Sequence, residues 1–143
     1  MPSKAMIGRT LSTGSAAVDA AHVAAFARAL GDEDPRYFDA ERGVAPPTYP
    51  IAFMVQALAG GASVFEELGL DFVTLVHGEQ EFEYARPIRV GETLTLTARI
   101  ADVYEKQGSS GLMDFVVLET EGTDAAGKTV FLSRNTLISR RRA

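Results

Sequence analysis

The chain has 143 residues, 46% of them hydrophobic and 23% charged, with a formal net charge of −5. That length predicts a single domain over residues 1–143 with a core that needs no staples, and the acidic balance gives no electrostatic case for nucleic acid. The lack of cysteine excludes disulfides, thiolate metal sites and cysteine nucleophiles, and accords with a reducing cytoplasm.

The opening "MPSKAMIGRT" lacks the long apolar stretch of a signal peptide, and residues 6–11 are expected to add an edge strand. A first amphipathic helix is expected over residues 19–30, "DAAHVAAFARAL". Asp19 suits its N-cap, Val23, Phe26, Ala27 and Leu30 share one face, and Gly31 suits the position past its end. His22, in the first turn and off that stripe, reads as a solvent-facing histidine. The stretch "ALGDEDPRYFDAERGVAPPTYP", residues 29–50, then makes a corner and a proline-rich run.

A second helix is expected over residues 50–68, "PIAFMVQALAGGASVFEEL". Pro50 starts it without loss, because the first turn leaves its N–H unbonded anyway. Its apolar residues run all the way round, which predicts burial on every side. The small residues Ala57, Ala59, Gly60, Gly61 and Ala62 would let other backbone approach closely. Residues 43–65 carry no charge, but Pro46, Pro47, Pro50, Gln56 and the Gly60-Gly61 pair interrupt them. The apolar run is too short for a membrane span and reads as a buried soluble helix.

From residue 72 the texture is that of strands, expected over 72–84, 92–105, 111–123 and 127–140. The turn-like breaks are "RPIRVGE", "KQGSSG" and "DAAGK". In "TLVHGEQEFEY" simple alternation points His77 away from the face of Val76, Phe82 and Tyr84, unless Gly78 forms a bulge that breaks the phase. Glu79, Glu81 and Glu83 read as a solvated face, and the closing Arg140-Arg141-Arg142 as a solvated terminus. Two distant histidines and no cysteine give a metal site little support.

One apolar helix followed by long consecutive strands implies an α+β fold, an antiparallel sheet wrapped round a buried helix in the hot-dog manner. The segments "ARALGDEDPRYFD", "APPTYPIAF", "LVHGEQEFEYARPIRVGETLTLTARI" and "RNTLISR" resemble the MaoC-like, FAS1-type dehydratase N-terminal family. The likeness is greatest to the HadA-type subunit of (R)-3-hydroxyacyl-ACP dehydratases. The resemblance implies an acyl-CoA or acyl-ACP substrate, no cofactor, and a hot-dog partner subunit or homodimer.

The signature of active hydratases in this superfamily is Gly-Asp-x-Asn-Pro, an aliphatic residue, then His. Gly31, Asp32 and Pro35 fit it; Asp34 replaces the Asn, Arg36 the aliphatic residue, and Tyr37 the His. Hydration of an enoyl thioester needs a base and donors that hold the thioester oxygen. An imidazole with pKa near ~6.5 accepts and returns protons at neutral pH, whereas a phenol with pKa about 10 does so poorly. The candidate catalytic residues are therefore Asp32, Tyr37 and His77, each with a bland alternative: a turn carboxylate, a packed aromatic and an exposed strand histidine. The amides from Tyr49 through Ile51 to Ala52, at the start of the apolar helix, could face a thioester carbonyl, although Pro50 removes one donor. Val55 would line an acyl groove along the same helix. The functions left open are an acyl-binding, catalytically incomplete dehydratase subunit, a self-sufficient hydratase, and a hot-dog thioesterase or ligand-binding homodimer.

Overall fold

The computed structural model describes residues 2–58, 63–109 and 111–141. Five strands, β1 (Thr10–Ala17), β2 (Leu75–Tyr84), β3 (Thr93–Gly108), β4 (Gly111–Thr123) and β5 (Thr129–Arg140), form one sheet. Their order is β1-β3-β4-β5-β2, and every neighbouring pair is antiparallel. A tight turn joins β4 to β5, where Asp124 Oδ1 accepts from the amides of Ala126 and Lys128, both at 3.0 Å. The outer edges belong to β1 and β2.

Three α-helices are described: α1 (Ala20–Leu30), α2 (Pro50–Leu58) and α3 (Ser63–Glu67). Asp19 caps α1 by accepting from the His22 amide at 2.9 Å. Gly31 ends α1 in the left-handed conformation, φ 70°, which a glycine adopts without steric cost. Its amide donates to Arg28 O and that of Asp32 donates to Ala27 O, the paired bonds of a Schellman end. Val23 and Ala27 are buried as expected, but Leu30 is exposed, because it lies in the final turn as the chain leaves the core.

The helix expected over 50–68 divides into α2 and α3, and residues 59–62 lie outside the described residues, as do the side chains of 55–58, 63 and 64. The expectation that small residues there admit close backbone therefore falls outside them too. Burial on every side does not hold for α2: Phe53 is buried, while Ile51, Ala52 and Met54 are half-buried. A sheet covers a helix with one concave face, so the opposite side of the helix remains partly open.

Among the described residues, two clusters form the core. One joins Val18, Val23, Tyr49, Phe53, Ile88, Leu94, Val130 and Phe131 beneath α1 and α2. The other joins Phe65, Leu68, Leu70, Ile100, Val103, Val116 and Leu137 beneath α3. Each such side chain contributes about 1.5–3 kcal/mol on burial.

Three further expectations shift. The edge strand is β1, residues 10–17, and not 6–11; residues 4–6 form a 3₁₀ turn capped by Ser3. Its sequence "TLSTGSAA" has the composition of a turn, and the β3 ladder makes it a strand. The strand expected from residue 72 begins at Leu75, after a 3₁₀ turn over Phe72–Thr74 capped by Asp71. Arg141 is no solvated tail: its guanidinium pairs with Asp114 and Glu105.

Candidate active site

The Schellman end of α1 sets the direction of the Asp-x-Asp-Pro corner. Asp32 is exposed, and its Oδ1 accepts from the Asp34 amide at 3.0 Å. Asp34 caps a 3₁₀ turn over Pro35–Tyr37 by accepting from the Arg36 amide at 3.0 Å. Both Asp34 oxygens also hold the Arg36 guanidinium, at 2.7–3.2 Å. Those bonds keep the Asp34 carboxyl below the usual carboxylate range.

Tyr37 packs inward, 7% exposed. Burial pushes its phenol pKa up, and the charges of Asp32 and Asp34 push the same way. The one change that would make a phenol a base near neutral pH is a lowered pKa, and this environment works against it.

The structure brings Asp32 and Tyr37 into one corner and leaves His77 elsewhere. His77 stands near the start of β2, about 20 Å along the strand from Tyr84. Tyr84 donates its hydroxyl to Pro47 O at 2.6 Å and so ties the far end of β2 to the loop that follows the corner. The phase of His77 differs from simple alternation. The β2–β5 register shifts between His77 and Glu79, so Gly78 does form a bulge. His77 lies opposite Leu137, on the concave phase of β5 that Asn135 and Ser133 share, and thus on the side of Gln80, Phe82 and Tyr84. It is exposed there because β2 is an edge strand.

At the start of α2 the expected oxyanion arrangement does not form. The Tyr49 amide donates to Pro46 O at 2.9 Å, that of Ile51 to Thr48 O at 3.1 Å, and that of Ala52 to Tyr49 O at 2.9 Å. Entry through tight i→i−3 turns uses the donors that an ordinary helix start leaves free. Tyr49 itself is buried, and its hydroxyl is hydrogen-bonded to His22 Nδ1 at 2.7 Å, with the two rings edge to face. Burial, then the charge of Asp19, pushes the Tyr49 phenol up. His22 is therefore more than a solvent-facing residue: it pins α1 to the start of α2.

Among the described residues, an apolar space that could take a ligand lies between α2 and the concave sheet face, a cavity of about 110 Å³. Pro50, Phe53 and Met54 line it from α2, Leu11 and Ser12 from β1, Leu96 and Ala98 from β3, Leu118 and Thr120 from β4, and Phe131, Ser133 and Asn135 from β5. Spacing of three and four residues puts Pro50, Phe53 and Met54 on one helix face. Tyr49, Ile51 and Ala52 lie off that face, and the side chain of Val55 lies outside the described residues. Sequence reasoning missed Asn135 and Ser133. The available signal was phase: in "FLSRNTL" they alternate with Arg134 and fall in step with Phe131 and Leu137, polar residues on an apolar phase.

The outer edge of β2 and its approach carry exposed apolar side chains, Phe72 (65% exposed), Val73 (79%) and Val76 (58%). Glu79, Glu81 and Glu83 follow along the convex face, all exposed. Among the described residues, no group of three or more His, Asp or Glu side chains could hold a metal ion, and no helix is long and apolar enough to cross a membrane.

Residues 5–133 match the family described as the FAS1-like, dehydratase domain region. The chain belongs to that family. A UPF0336 protein of Streptomyces coelicolor is 37% identical over 123 residues, which cover 80% of this chain and 79% of the relative. One from Thermobifida fusca is 37% identical over 80% of this chain and 78% of its own. Among solved structures the fold resembles a chain of the truncated HadBC (3R-hydroxyacyl-ACP dehydratase) complex of Mycobacterium tuberculosis, with TM-score 0.71, 24% identity, and coverage of 88% of this chain and 90% of that one. It also resembles an (R)-hydratase from A. caviae, with TM-score 0.62, 18% identity, and coverage of 94% and 96%. The architecture is that of the hot-dog, MaoC-like dehydratases, as the resemblance implied.

Proposed function

We propose that this chain is the acyl-binding subunit of an (R)-specific 3-hydroxyacyl-thioester dehydratase, with an incomplete catalytic set and a hot-dog partner that supplies the proton acceptor. The observation that carries this reading is Tyr37. It holds the position of the superfamily histidine, is buried, and has its pKa pushed further from neutrality. Elimination of water across C2–C3 requires a group that takes a proton and returns one, and such a phenol does neither near pH 7. Asp32 alone can orient a thioester or a water, and the apolar cavity can still receive the acyl chain of a CoA or carrier-protein thioester.

The open β2 edge supports a partner, and its charge argues against a second copy. In an antiparallel pairing of two sheets, convex-face residues oppose convex-face residues, so two identical edges would set Glu79, Glu81 and Glu83 against themselves. Arg134 lies 3.6 Å from Glu81 and 3.9 Å from Glu83, but its Nε is committed to Glu119 at 2.6 Å. A hot-dog partner with Lys or Arg along its edge strand fits better. The second reading, a self-sufficient homodimeric hydratase, draws on His77, which the bulge turns to the concave side at that same edge.

The test compares the purified chain with the complex captured from its native source, using crotonyl-CoA and longer enoyl-CoA thioesters. The isolated chain should bind them and hydrate them at least ~10²-fold more slowly than the complex. Ordinary enzyme rates from the isolated chain, abolished by His77→Ala or Tyr37→Phe, would replace this proposal with the self-sufficient hydratase.

A further inference from the structure

We infer that the convex face of the sheet seats a second copy of this chain, packed face to face about a two-fold axis that crosses the strands. This surface is distinct from the β2 edge, and the inference does not depend on the acyl-binding reading. Tyr104, Phe115, Ile138 and Val76 lie opposite one another on β3, β4, β5 and β2, an unbroken apolar row across four strands. The α-helices pack against the concave face, so the row stays partly open. Val76 is 58% exposed, and Tyr104 and Ile138 are half-buried. Phe115 is buried on this outer side beneath the Tyr104 ring, stacked at 4.8 Å between centroids, and the Lys106 ammonium, 5.1 Å from its ring. A contiguous apolar strip of this kind marks a contact surface.

Charge decides what covers it. On one side of the row stand Lys106, Met113 and Arg140; on the other stand Asp102, Val117, Thr136 and Glu79. Further along the strands Arg99 and Arg134 are held by Glu119, whereas Lys106 and Arg140, both exposed, have no ionic partner among the described residues. A two-fold axis lying between two faces keeps positions along the axis and inverts positions across it. With the axis along the apolar row, the row meets itself and Lys106 of each copy faces Asp102 of the other. Arg140 then faces Thr136, with Glu79 one strand away, about 4.8 Å. An axis along the strands would instead set the Lys106 and Arg140 row against itself. Sheets pack about 10 Å apart, a gap that a lysine and an aspartate close from opposite sides. Within one chain, Lys106 and Asp102 stand ~13 Å apart along β3, too far to pair. The β2 edge remains free for a hot-dog partner, so both contacts can form at once.

The experiment is sedimentation velocity of the purified chain at micromolar concentrations, beside Lys106→Glu and Asp102→Lys, each alone and the two mixed. Both positions are exposed, so the variants should fold and melt as the parent does. β3 lies three strands from β2, about 14 Å, so a dimer built on the β2 edge would not respond to either change. The unmodified chain should dimerise. Each variant alone sets like charges against each other at both facing positions and should dimerise at least about tenfold more weakly. An equimolar mixture should restore the dimer, because each facing pair then joins opposite charges again, a result that only a two-fold contact through these residues produces. A chain that stays monomeric at every concentration would overturn the inference. So would a dimer that both variants leave unchanged, which places the contact elsewhere, or a mixture that associates no more tightly than either variant alone. None of these results bears on acyl binding, which is read separately with the CoA thioesters.

Discussion

Gly122→Ala tests whether the cavity has the walls described. Gly122 on β4 lies directly opposite Phe131 on β5, and the Phe131 ring fills the space a side chain there would need. A Cβ at position 122 would meet ring atoms Cδ1 at 2.7 Å and Cζ at 2.8 Å, with Cε1 closer still. Carbon atoms rest about 3.5–4.0 Å apart, so the ring must move by ~1 Å or more. Phe53 and Tyr84 stand against it, each with its ring centroid 6.2 Å away, and the cavity that Phe131 lines offers the ring room to move. Forced repacking of this kind costs about 1–3 kcal/mol. A chain of this length gains unfolding entropy of ~0.3 kcal/mol/K, so the melting temperature should fall by ~3–10 °C. Acyl-CoA affinity should fall with it, because the ring now occupies ligand space. Phe131→Leu in the Gly122→Ala background should recover part of the loss, with a coupling of about 0.5–3 kcal/mol. Scanning calorimetry and CoA-thioester titration read both quantities. A Gly122→Ala protein that melts within about 1 °C of the parent and binds as before would refute the packing of Phe131 against β4.

Stability should fall at both ends of the pH scale. Burial acts to raise the Glu92 and Glu119 pKa values, but hydrogen bonds from Arg86 and the Arg89 amide, and from Arg99 and Arg134, outweigh it and hold both low. Their contribution is complete above the ordinary glutamate pKa of about 4.3 and is lost as pH falls below it. Burial raises Tyr37, Tyr49 and Tyr84, whose contribution is complete below about pH 10 and is lost as pH rises beyond it; urea midpoints across the pH scale should show a plateau between these flanks. Tyr49→Phe should cost about 0.5–1.5 kcal/mol, and adding His22→Ala should cost little more, because one hydrogen bond joins them; additive losses in denaturation would break that pairing. Glu119→Gln, at a carboxylate shared by Arg99 and Arg134, should lower stability by about 1.5–3 kcal/mol in the same assay. Asp32→Asn should reduce the turnover of the assembled complex less than removal of the partner's base does; equal losses would show that this chain holds an active site of its own.

Local chemistry wrote the parts of this protein that depend on neighbours in the chain. Asp19 and Gly31 bound the first helix because a side-chain oxygen and a residue free to take positive φ satisfy helix ends wherever they occur. The Asp-x-Asp-Pro corner folds on its own hydrogen bonds, and Tyr37 in place of histidine is legible without coordinates. The long strands were legible from alternation, and with them the wrapped sheet. Tertiary structure decided the rest, because those features depend on residues far apart in sequence. Pairing with β3 made an edge strand of residues 10–17, whose composition suits a turn. The β2–β5 register moved His77 to the concave side, since one extra residue in a ladder of period two inverts every side chain beyond it. The tight entry into α2 consumed amides that the sequence alone leaves free. The cavity draws its wall from α2 and four strands, and only their convergence shows that Asn135, an ordinary polar residue in "RNTLISR", ends with its oxygen buried and without a partner among the described residues.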